Sequence, residues 1–313
     1  MQHYYSLEEV SIHRPAFSAG KNAWLTIGVF DGVHRGHREI IRKLTADAHA
    51  NNAPAVLLTF DPHPANVLTG RDIKCLNTPI ERADLLGTLG LDIVITQRFT
   101  PDLSTVPAQE YMSRLKETLG LSHLLIGYDF ALGKGREGNA NRLIEIGKEL
   151  NYSVEVIKAL SDESGVISST EIRKLVATGN ATEAAKLLGY NYSLSGPVIH
   201  GDGRGRRIKI PTANVDYPKQ KVIPSNGIYV CWATIGTDKF MAATNIGFNP
   251  TFTPDKKTPS LEAHLLDFDR DIYGQEVKLE FVARLRDELK FNSVDALLEQ
   301  IHDDINKTRD MLS

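Results

Sequence analysis

Along the first half of the chain, short apolar runs alternate with segments in which apolar residues recur every three or four positions. The apolar runs predict buried strands at 24–30, 53–60, 91–99, 121–130 and 152–160. The three-to-four spacing predicts helices at 35–50, 79–90, 107–120, 141–150 and 168–179. Strands that alternate with helices predict a mostly parallel sheet covered by helices on both faces.

The pattern changes after a short predicted helix at 181–189. From Tyr192 onward, short segments alternate between apolar and polar residues and are separated by turn residues, at 192–203, 227–236, 239–247, 260–268 and 276–285. This pattern predicts a small antiparallel β-barrel, and the stretch 293–312 that follows it has the spacing of an amphipathic helix. We therefore expect two domains, 1–186 and 187–313.

Composition narrows the class of protein. Of the 313 residues, 42% are hydrophobic and 24% are charged, which is typical of a globular chain. We expect no membrane span and no signal peptide, because the sequence shows neither an 18-residue apolar run nor a basic segment followed by an apolar one, and Cys75 and Cys231 form no CxxC pattern. A formal net charge of -3 argues against broad nucleic-acid binding. We expect a cytoplasmic monomer or weak homo-oligomer that binds small molecules, with no nucleic-acid or membrane partner.

The segment "GVFDGVHRGH" (28–37) lies where a predicted strand gives way to a helix. Ligands of open α/β sheets bind at the carboxyl ends of strands, and a helix N-terminus there suits phosphate. His34 and His37 share one helical face, and their imidazoles can donate hydrogen bonds to phosphate oxygens as negative charge builds up. The alternative is that these histidines only cap a helix. A zinc site is less favoured, because the spacing and glutamate of HExxH are missing.

The same segment resembles the HxGH signature of nucleotidyltransferases, in the form found in bifunctional bacterial riboflavin kinase/FAD synthetases. The resemblance continues in order along nearly the whole chain. It includes "TFDPHP" (59–64), "LLIGYDFALGKGREGN" (124–139), "ISSTEIR" (167–173), "GDGRGRRIKIPTAN" (201–214), "NGIYV" (226–230), "NIGFNPTF" (245–252), "LEAHLLDFDRDIYG" (261–274) and "LRDELKF" (285–291).

The resemblance implies a fold and two reactions. An α/β Rossmann-like nucleotidyltransferase domain would transfer the adenylyl group of ATP to FMN, giving FAD and pyrophosphate. A small riboflavin kinase-like antiparallel β-barrel with a C-terminal helix would use ATP and Mg²⁺ to phosphorylate riboflavin to FMN. The implied partners are therefore riboflavin, FMN, FAD and ATP.

In the first domain, the resemblance implies that His34 and His37 bind phosphate and that the segment at 168–173 contributes to the same phosphate-binding site. The residues implied in that second part are Ser168, Ser169, Thr170 and Arg173. The further nucleotide or flavin contacts implied are Gly28, Phe30, Asp31, Gly127, Asp129 and Phe130. Taken alone, "SSTEIR" would be an ordinary helix N-cap. "GYDFALGKG" lacks the glycine spacing and the Ser/Thr of a P-loop.

In the second domain, the resemblance makes Glu262 the general base for the 5′-hydroxyl of riboflavin. Thr212 and Asn214 lie two apart in an extended segment, so they share a face and offer the oxygen ligands that Mg²⁺ prefers. The resemblance implies that they hold Mg²⁺–ATP, and a proline-led turn is the alternative. The implied phosphate flap contains Gly201, Gly203, Gly205 and Arg206, and Arg286 is an implied flavin contact. A solvent-facing turn and a surface salt bridge are the alternatives for the flap and for Arg286. Lys209 and Ile210 depart from the glycine and aromatic that the family commonly has before "PTAN".

Two other functions stay open at this stage. The chain could adenylylate a different phosphate monoester, with the β-domain only docking, or it could be a flavin-binding regulator without catalysis. The His34/His37 pair and Glu262 argue against the regulator, and product analysis with riboflavin, Mg²⁺ and ATP separates the enzyme alternatives.

Overall fold

The computed structural model describes residues 1–13, 22–158, 161–162, 165–201, 205, 208, 210–247 and 259–313. The chain divides into two compact units, Met1–Ser169 and Thr170–Ser313. This division precedes residue 186 because helix α9 (Ala181–Leu188) packs on the second unit, where Thr182 Oγ1 donates to Val282 O at 3.3 Å. The domain boundary expected from the sequence pattern stays a prediction.

The first unit contains a parallel sheet, as the alternation of strands and helices predicts. Its strands are β1 (Gln2–Tyr4), β2 (Trp24–Ile27), β3 (Ala55–Asp61), β4 (Ile93–Arg98), β5 (His123–Gly127) and β8 (Ser153–Ile157). Their spatial order is β1-β4-β3-β2-β5-β8, and all neighbours pair in parallel. The direction of the chain across the sheet reverses between β2 and β5, which is the position where such sheets bind ligands.

Helices cover both faces of this sheet. They are α1 (Leu7–Ile12), α2 (Arg35–Ala50), α3 (Pro64–Thr69), α4 (Pro79–Gly87), α5 (Pro101–Ser104), α6 (Ala108–Leu119) and α7 (Ala140–Leu150), and α8 (Ser169–Ala177) follows. Alternate residues of β3 enter different cores, since Val56 packs in the cluster with α6 and α7 while Leu57 packs in the cluster with α2 and α4. The short strands β6 (Ala131–Leu132), β7 (Gly138–Asn139), β9 (Ser161–Asp162) and β10 (Gly165–Val166) form two small hairpins.

The second unit contains the predicted barrel, which closes in the order β11-β12-β15-β14-β13-β16. Its strands are β11 (Ser193–Ile199), β12 (Ala213–Val215), β13 (Gly227–Ile235), β14 (Asp238–Gly247), β15 (Ser260–Leu265) and β16 (Glu276–Arg286). The C-terminal helix α10 (Val294–Leu312) follows. All neighbouring strands pair antiparallel, and Tyr229 and Phe281 pack edge to face inside at 5.4 Å between ring centroids.

Candidate active sites

The segment after β2, residues 28–34, turns sharply at the carboxyl edge of the sheet, and we call it the β2–α2 loop. Strand β2 ends at Ile27 because Phe30, Gly32 and Val33 adopt left-handed φ values of 51°, 83° and 36°. Such values are unfavourable for Phe and for the β-branched Val. Gly28 is required because a Cβ there would lie 2.9 Å from the Phe30 ring. The predicted strand at 24–30 is therefore shorter than its apolar run.

The loop places His34 immediately before the first residue of α2. His34 is the N-cap, and its Nδ1 accepts the backbone N–H of His37 at 3.4 Å. The two rings stack with their centroids 3.6 Å apart, and Phe30 meets the His37 ring edge-on at 5.0 Å. Because Nδ1 accepts, the neutral His34 ring carries its proton on Nε2, which makes Nε2–H the hydrogen-bond donor.

The buried side chains of Asp31 and Phe30 fix the β2–α2 loop to the rest of the first unit. The Asp31 carboxylate is 1% exposed and accepts the N–H groups of Leu76, at 2.9 and 3.1 Å, and Asn77, at 3.2 Å. Phe30 is buried in the core below α2. The structure thus shows both side chains supporting the loop, and their contact with a cofactor stays a prediction.

Ser169, the last residue of the first unit, contacts the β2–α2 loop. Ser169 Oγ donates to the backbone oxygen of Asp31 at 2.8 Å, so the segments "FDG" and "SST" meet although they are far apart in sequence. Ser168 directly precedes α8, and Thr170 and Arg173 lie further along it. Thr170 is exposed and Arg173 is half-buried.

The turn after β5 lies at the same edge of the sheet. The N–H of Phe130 donates to Gly127 O at 3.1 Å, and Arg136 Nη2 donates to Asp129 O at 3.1 Å. Asp129 is exposed, and Phe130 packs partly on the core. Since β5 is the parallel neighbour of β2, Gly127 and the β2–α2 loop lie beside each other at the point where the strand order reverses.

In the second unit, a cavity of about 260 Å³ lies between the outer face of the barrel and helix α10, and we call it the α10 cavity. Side chains from β13, β14, β15, β16 and α10 line it, together with residues before β12. They include Thr212, Ile228, Asn245, Glu262, His264, Arg286, Leu297, Ile301 and Asp304.

The strand register explains why Glu262 faces this cavity. In β15, Leu261, Ala263 and Leu265 are buried, whereas Glu262 and His264 are half-buried on the opposite face, as the sequence alternation predicts. Leu266, expected on that same outer face, lies beyond the end of the strand and is also buried.

Three polar residues follow one another across neighbouring strands. Asn214 pairs with Glu262, and Glu262 pairs with Asn245. Directly paired residues of antiparallel strands project to the same face with Cβ atoms about 5 Å apart. Ser260 Oγ donates to Glu262 Oε1 at 3.2 Å, while the buried Asn245 Oδ1 has no hydrogen-bond partner in the part of the chain that the structure describes. Asn245 begins the motif at 245–252, but its residue type and spacing alone indicate no role.

The segment before β12 is tightly packed. A Cβ at Gly201 would lie 2.4 Å from Asn214 Nδ2, and one at Gly205 would lie 2.3 Å from Ile210 O. His264 Nδ1–H donates to Pro211 O at 2.8 Å and fixes the chain beside Thr212. The predictions for Gly203 and Arg206, and the departure at Lys209, lie outside the described residues.

Arg286 fastens α10 to the barrel. Its Nε donates to the Asp304 carboxylate at 3.0 and 3.2 Å, and its Nη2 donates at 2.6 Å. The side chains are 18% and 5% exposed, so this is a largely buried pair and not a surface salt bridge. Arg286 also lines the α10 cavity, and its contact with flavin stays a prediction.

Two family models match consecutive parts of the chain. The FAD synthetase model matches residues 17–171, and the riboflavin kinase model matches residues 188–312. A bifunctional riboflavin kinase/FMN adenylyltransferase from Listeria monocytogenes is 36% identical over 92% of this chain and 92% of its own length. One from Bacillus subtilis is 33% identical over 90% of this chain and 89% of its own.

The chain belongs to the bifunctional riboflavin kinase/FMN adenylyltransferase family. The resemblance stated from the sequence motifs is confirmed, and so is the order of the two enzyme regions. The family fold also matches a solved structure from Streptococcus pneumoniae that is described as a macrolide-efflux protein. It has 30% sequence identity and a TM-score of 0.88 over 98% of both chains. Among the described residues, helices of the length and apolarity that a membrane span needs do not occur.

Proposed function

We propose that the β2–α2 loop with His34 and His37 carries FMN adenylylation, and that the α10 cavity beside Glu262 carries riboflavin phosphorylation. As a member of its family, the chain is a riboflavin kinase and FMN adenylyltransferase, with the FAD synthetase region first. The observation that carries the residue assignment is the hydrogen bond from Ser169 to Asp31 O, because it supports one phosphate site built from both motifs.

Adenylylation needs alignment and charge neutralisation and no covalent enzyme intermediate. An oxygen of the FMN phosphate attacks the α-phosphorus of ATP, the bond to the bridging oxygen breaks, and pyrophosphate leaves. His34 and His37 donate to phosphate oxygens that gain negative charge, and Ser168 and Ser169 add donors. The roles expected for Thr170 and Arg173, which lie in the second unit, stay predictions of the sequence. Gly28, Gly127 and Asp129 border the space for nucleotide and flavin.

Phosphorylation follows a different course in the α10 cavity. Glu262 accepts the proton of the riboflavin 5′-hydroxyl while the oxygen bonds to the γ-phosphorus of ATP, and ADP leaves. The packed glycines Gly201 and Gly205 let the backbone come close to phosphates. The apolar side chains Ile228, Leu297 and Ile301 offer a surface for the flavin ring, with Arg286 in the wall.

The residues beside Glu262 fit Mg²⁺ as well. The hydroxyl of Thr212, the amide oxygen of Asn214 and the Glu262 carboxylate are hard oxygen donors, which Mg²⁺ prefers. The buried Asn245 Oδ1, without a hydrogen-bond partner among the described residues, is a further acceptor in this wall. Thr212 and Asn214 would hold the ion, which when bound neutralises charge on the ATP phosphates.

Chromatography of riboflavin incubated with ATP, with and without Mg²⁺, tests this function. FMN followed by FAD is the expected product series with Mg²⁺, and EDTA should abolish both products. Appearance of neither product in the presence of Mg²⁺ would contradict the assignment. The cytoplasmic location and the monomeric or weakly associated state stay predictions of the sequence.

A further inference from the structure

A buried arginine lies beneath the β2–α2 loop. Arg82, on α4, is 4% exposed, and its helix neighbours Ala83 and Leu86 belong to the apolar core. Its Nη1 donates to Val29 O at 3.1 Å, and its Nη2 donates to Phe60 O at 3.0 Å. The guanidinium therefore bridges the β2–α2 loop and the C-terminal end of strand β3.

Fold stability alone does not account for a cation at this position. Burial lowers the pKa of Arg82, and the carboxylates of Asp31 and Asp61 act in the opposite direction. Buried charges carry a desolvation cost, and apolar side chains of similar volume often replace them without loss of stability. What an apolar side chain cannot do is hold two carbonyl oxygens at a fixed separation, as the planar guanidinium does.

The carbonyl that Arg82 holds belongs to a strained segment. Val29 precedes Phe30, whose φ is 51°, and Val33 in the same loop has a φ of 36°. Backbone conformations of this kind persist only where surrounding contacts fix them. Thr59 Oγ1 also donates to Val29 O, at 2.8 Å, so this oxygen is bound from two sides.

We propose that Arg82 is a positioning residue for FMN adenylylation, because its bridge between Val29 O and Phe60 O fixes the loop that presents His34 and His37. The inference rests on the proposed assignment of adenylylation to the β2–α2 loop. Loosening the bridge would leave the histidines present but displaced from the phosphates, and displacements on the order of 1 Å can lower a rate by about 100-fold.

The test compares Arg82→Met and Arg82→Lys with Arg42→Met, a control on α2 whose side chain is 64% exposed. FMN-to-FAD conversion and riboflavin phosphorylation are measured on the same preparations. For Arg82→Met, we expect kcat/KM for adenylylation to fall by about 100-fold, with a raised KM for ATP, while kinase activity is unchanged. The kcat/KM of Arg82→Lys should lie between those of Arg82→Met and the parent, because a single ammonium group replaces the planar guanidinium that binds both carbonyl oxygens. Arg42→Met should match the parent.

The KM for ATP distinguishes a displaced β2–α2 loop from a smaller fraction of folded enzyme. A smaller folded fraction lowers the apparent kcat and leaves the KM for ATP unchanged, whereas a displaced loop raises that KM. An Arg82→Met enzyme with parental adenylylation, or one whose kcat falls only in proportion to its folded fraction with the KM for ATP unchanged, overturns the proposal.

Thr59→Val serves if Arg82→Met does not fold. It is nearly isosteric and removes the second donor to Val29 O, so we expect a raised KM for ATP in adenylylation. In that case Arg82→Lys decides the question, because a parental KM for ATP in Arg82→Lys overturns the proposal. His37→Ala distinguishes failure of the proposed site from failure of the role of Arg82. If His37→Ala retains adenylylation, the assignment of adenylylation to the β2–α2 loop is wrong. If His37→Ala loses adenylylation while the Arg82 variants keep the parental activity, only the positioning role is contradicted.

Discussion

The ring of His34 stacks on the ring of His37 at 3.6 Å between centroids, and its Nδ1 accepts the backbone N–H of His37. His34 is therefore the cap of the helix on which His37 lies. The sequence left open whether these histidines cap a helix or bind phosphate. The structure shows the capping role for His34, and phosphate binding stays a proposal. Capping fixes the tautomer of His34 and leaves Nε2–H as its donor.

Capping and phosphate binding can be separated at His34. Asparagine is a good N-cap, so His34→Asn should keep α2 intact while it removes the imidazole donor. We expect His34→Asn to unfold at the parental temperature and to lose FMN adenylylation. His34→Ala should lose activity and also about 1 kcal/mol of stability, as thermal unfolding would measure. Adenylylation at the parental rate in His34→Asn would show that His34 is only a cap.

A substitution in one of the two proposed active sites should leave the reaction at the other site unchanged. Glu262→Gln keeps the shape of the side chain but cannot accept a proton, so riboflavin phosphorylation should fall by about 10²- to 10⁴-fold. Conversion of supplied FMN to FAD should be unchanged. His37→Ala should lose FMN adenylylation and keep riboflavin phosphorylation, so FMN should accumulate from riboflavin. Chromatography of both product series checks this, and a Glu262→Gln enzyme that phosphorylates riboflavin normally would exclude Glu262 as the base.

Asn245 should contribute to substrate binding in the α10 cavity. Its buried Oδ1, which has no hydrogen-bond partner in the described part of the chain, pairs across the strands with Glu262. A buried acceptor gains a hydrogen bond when a ligand donates one, so Asn245→Ala should raise the KM for riboflavin or Mg²⁺–ATP by about tenfold. Asn245→Asp, which keeps an acceptor, is the matched comparison. An unchanged KM for both substrates in Asn245→Ala would contradict this role.

The Arg286–Asp304 pair should stabilise the second unit more than an exposed pair on the same helix. Asp304→Asn leaves a largely buried guanidinium without its counter-charge and should cost about 3 kcal/mol. Thermal unfolding measures this loss, and Arg286→Met combined with Asp304→Leu should recover part of it. The control is Asp267→Asn, because Asp267 and its partner Arg309 are 71% and 43% exposed. Equal effects of the two single variants would show that burial does not matter here.

The first unit should lose stability as the pH falls below neutrality. His123 stacks on Trp24 with ring centroids 4.0 Å apart, and burial lowers the pKa of His123, opposed by Glu155. The unfolded chain therefore binds a proton near the ordinary value of 6.5, whereas the folded chain does so only at lower pH. The stabilisation is present above 6.5 and decreases as the pH falls from there to the lower pKa of the folded state.

Urea unfolding followed by Trp24 fluorescence, in a Trp232→Phe background, measures this dependence. His123→Phe keeps the aromatic stack and removes the titration, so its midpoint should change less between about pH 7 and pH 5. A residual slope is expected from His3, whose pKa burial also lowers. A midpoint whose pH dependence is the same in His123→Phe and the parent would contradict the assignment to His123.

Local sequence patterns were sufficient for the longer elements and the class of fold, but not for short ones such as α1, α3 and α5. The apolar spacing at 35–50 predicts a helix with the bounds that α2 has, and the change after 189 predicts the barrel. Strand β1 was missed because three residues are too few to show a period. Motif order identified the family, and the pairing of Glu262 with Asn214 agrees with the faces that the alternation predicts.

Only the tertiary structure decided which distant groups meet. Periodicity reports whether a residue is buried, because burial repeats with the geometry of its own helix or strand. It carries no information on the partner, which depends on strand order and on contacts between residues far apart in the chain. The sequence by itself therefore determined a parallel sheet, a barrel and two sets of family motifs in order. The placement of Arg82 beneath Val29, of Ser169 on Asp31 and of Asn245 beside Glu262 came from the folded chain alone.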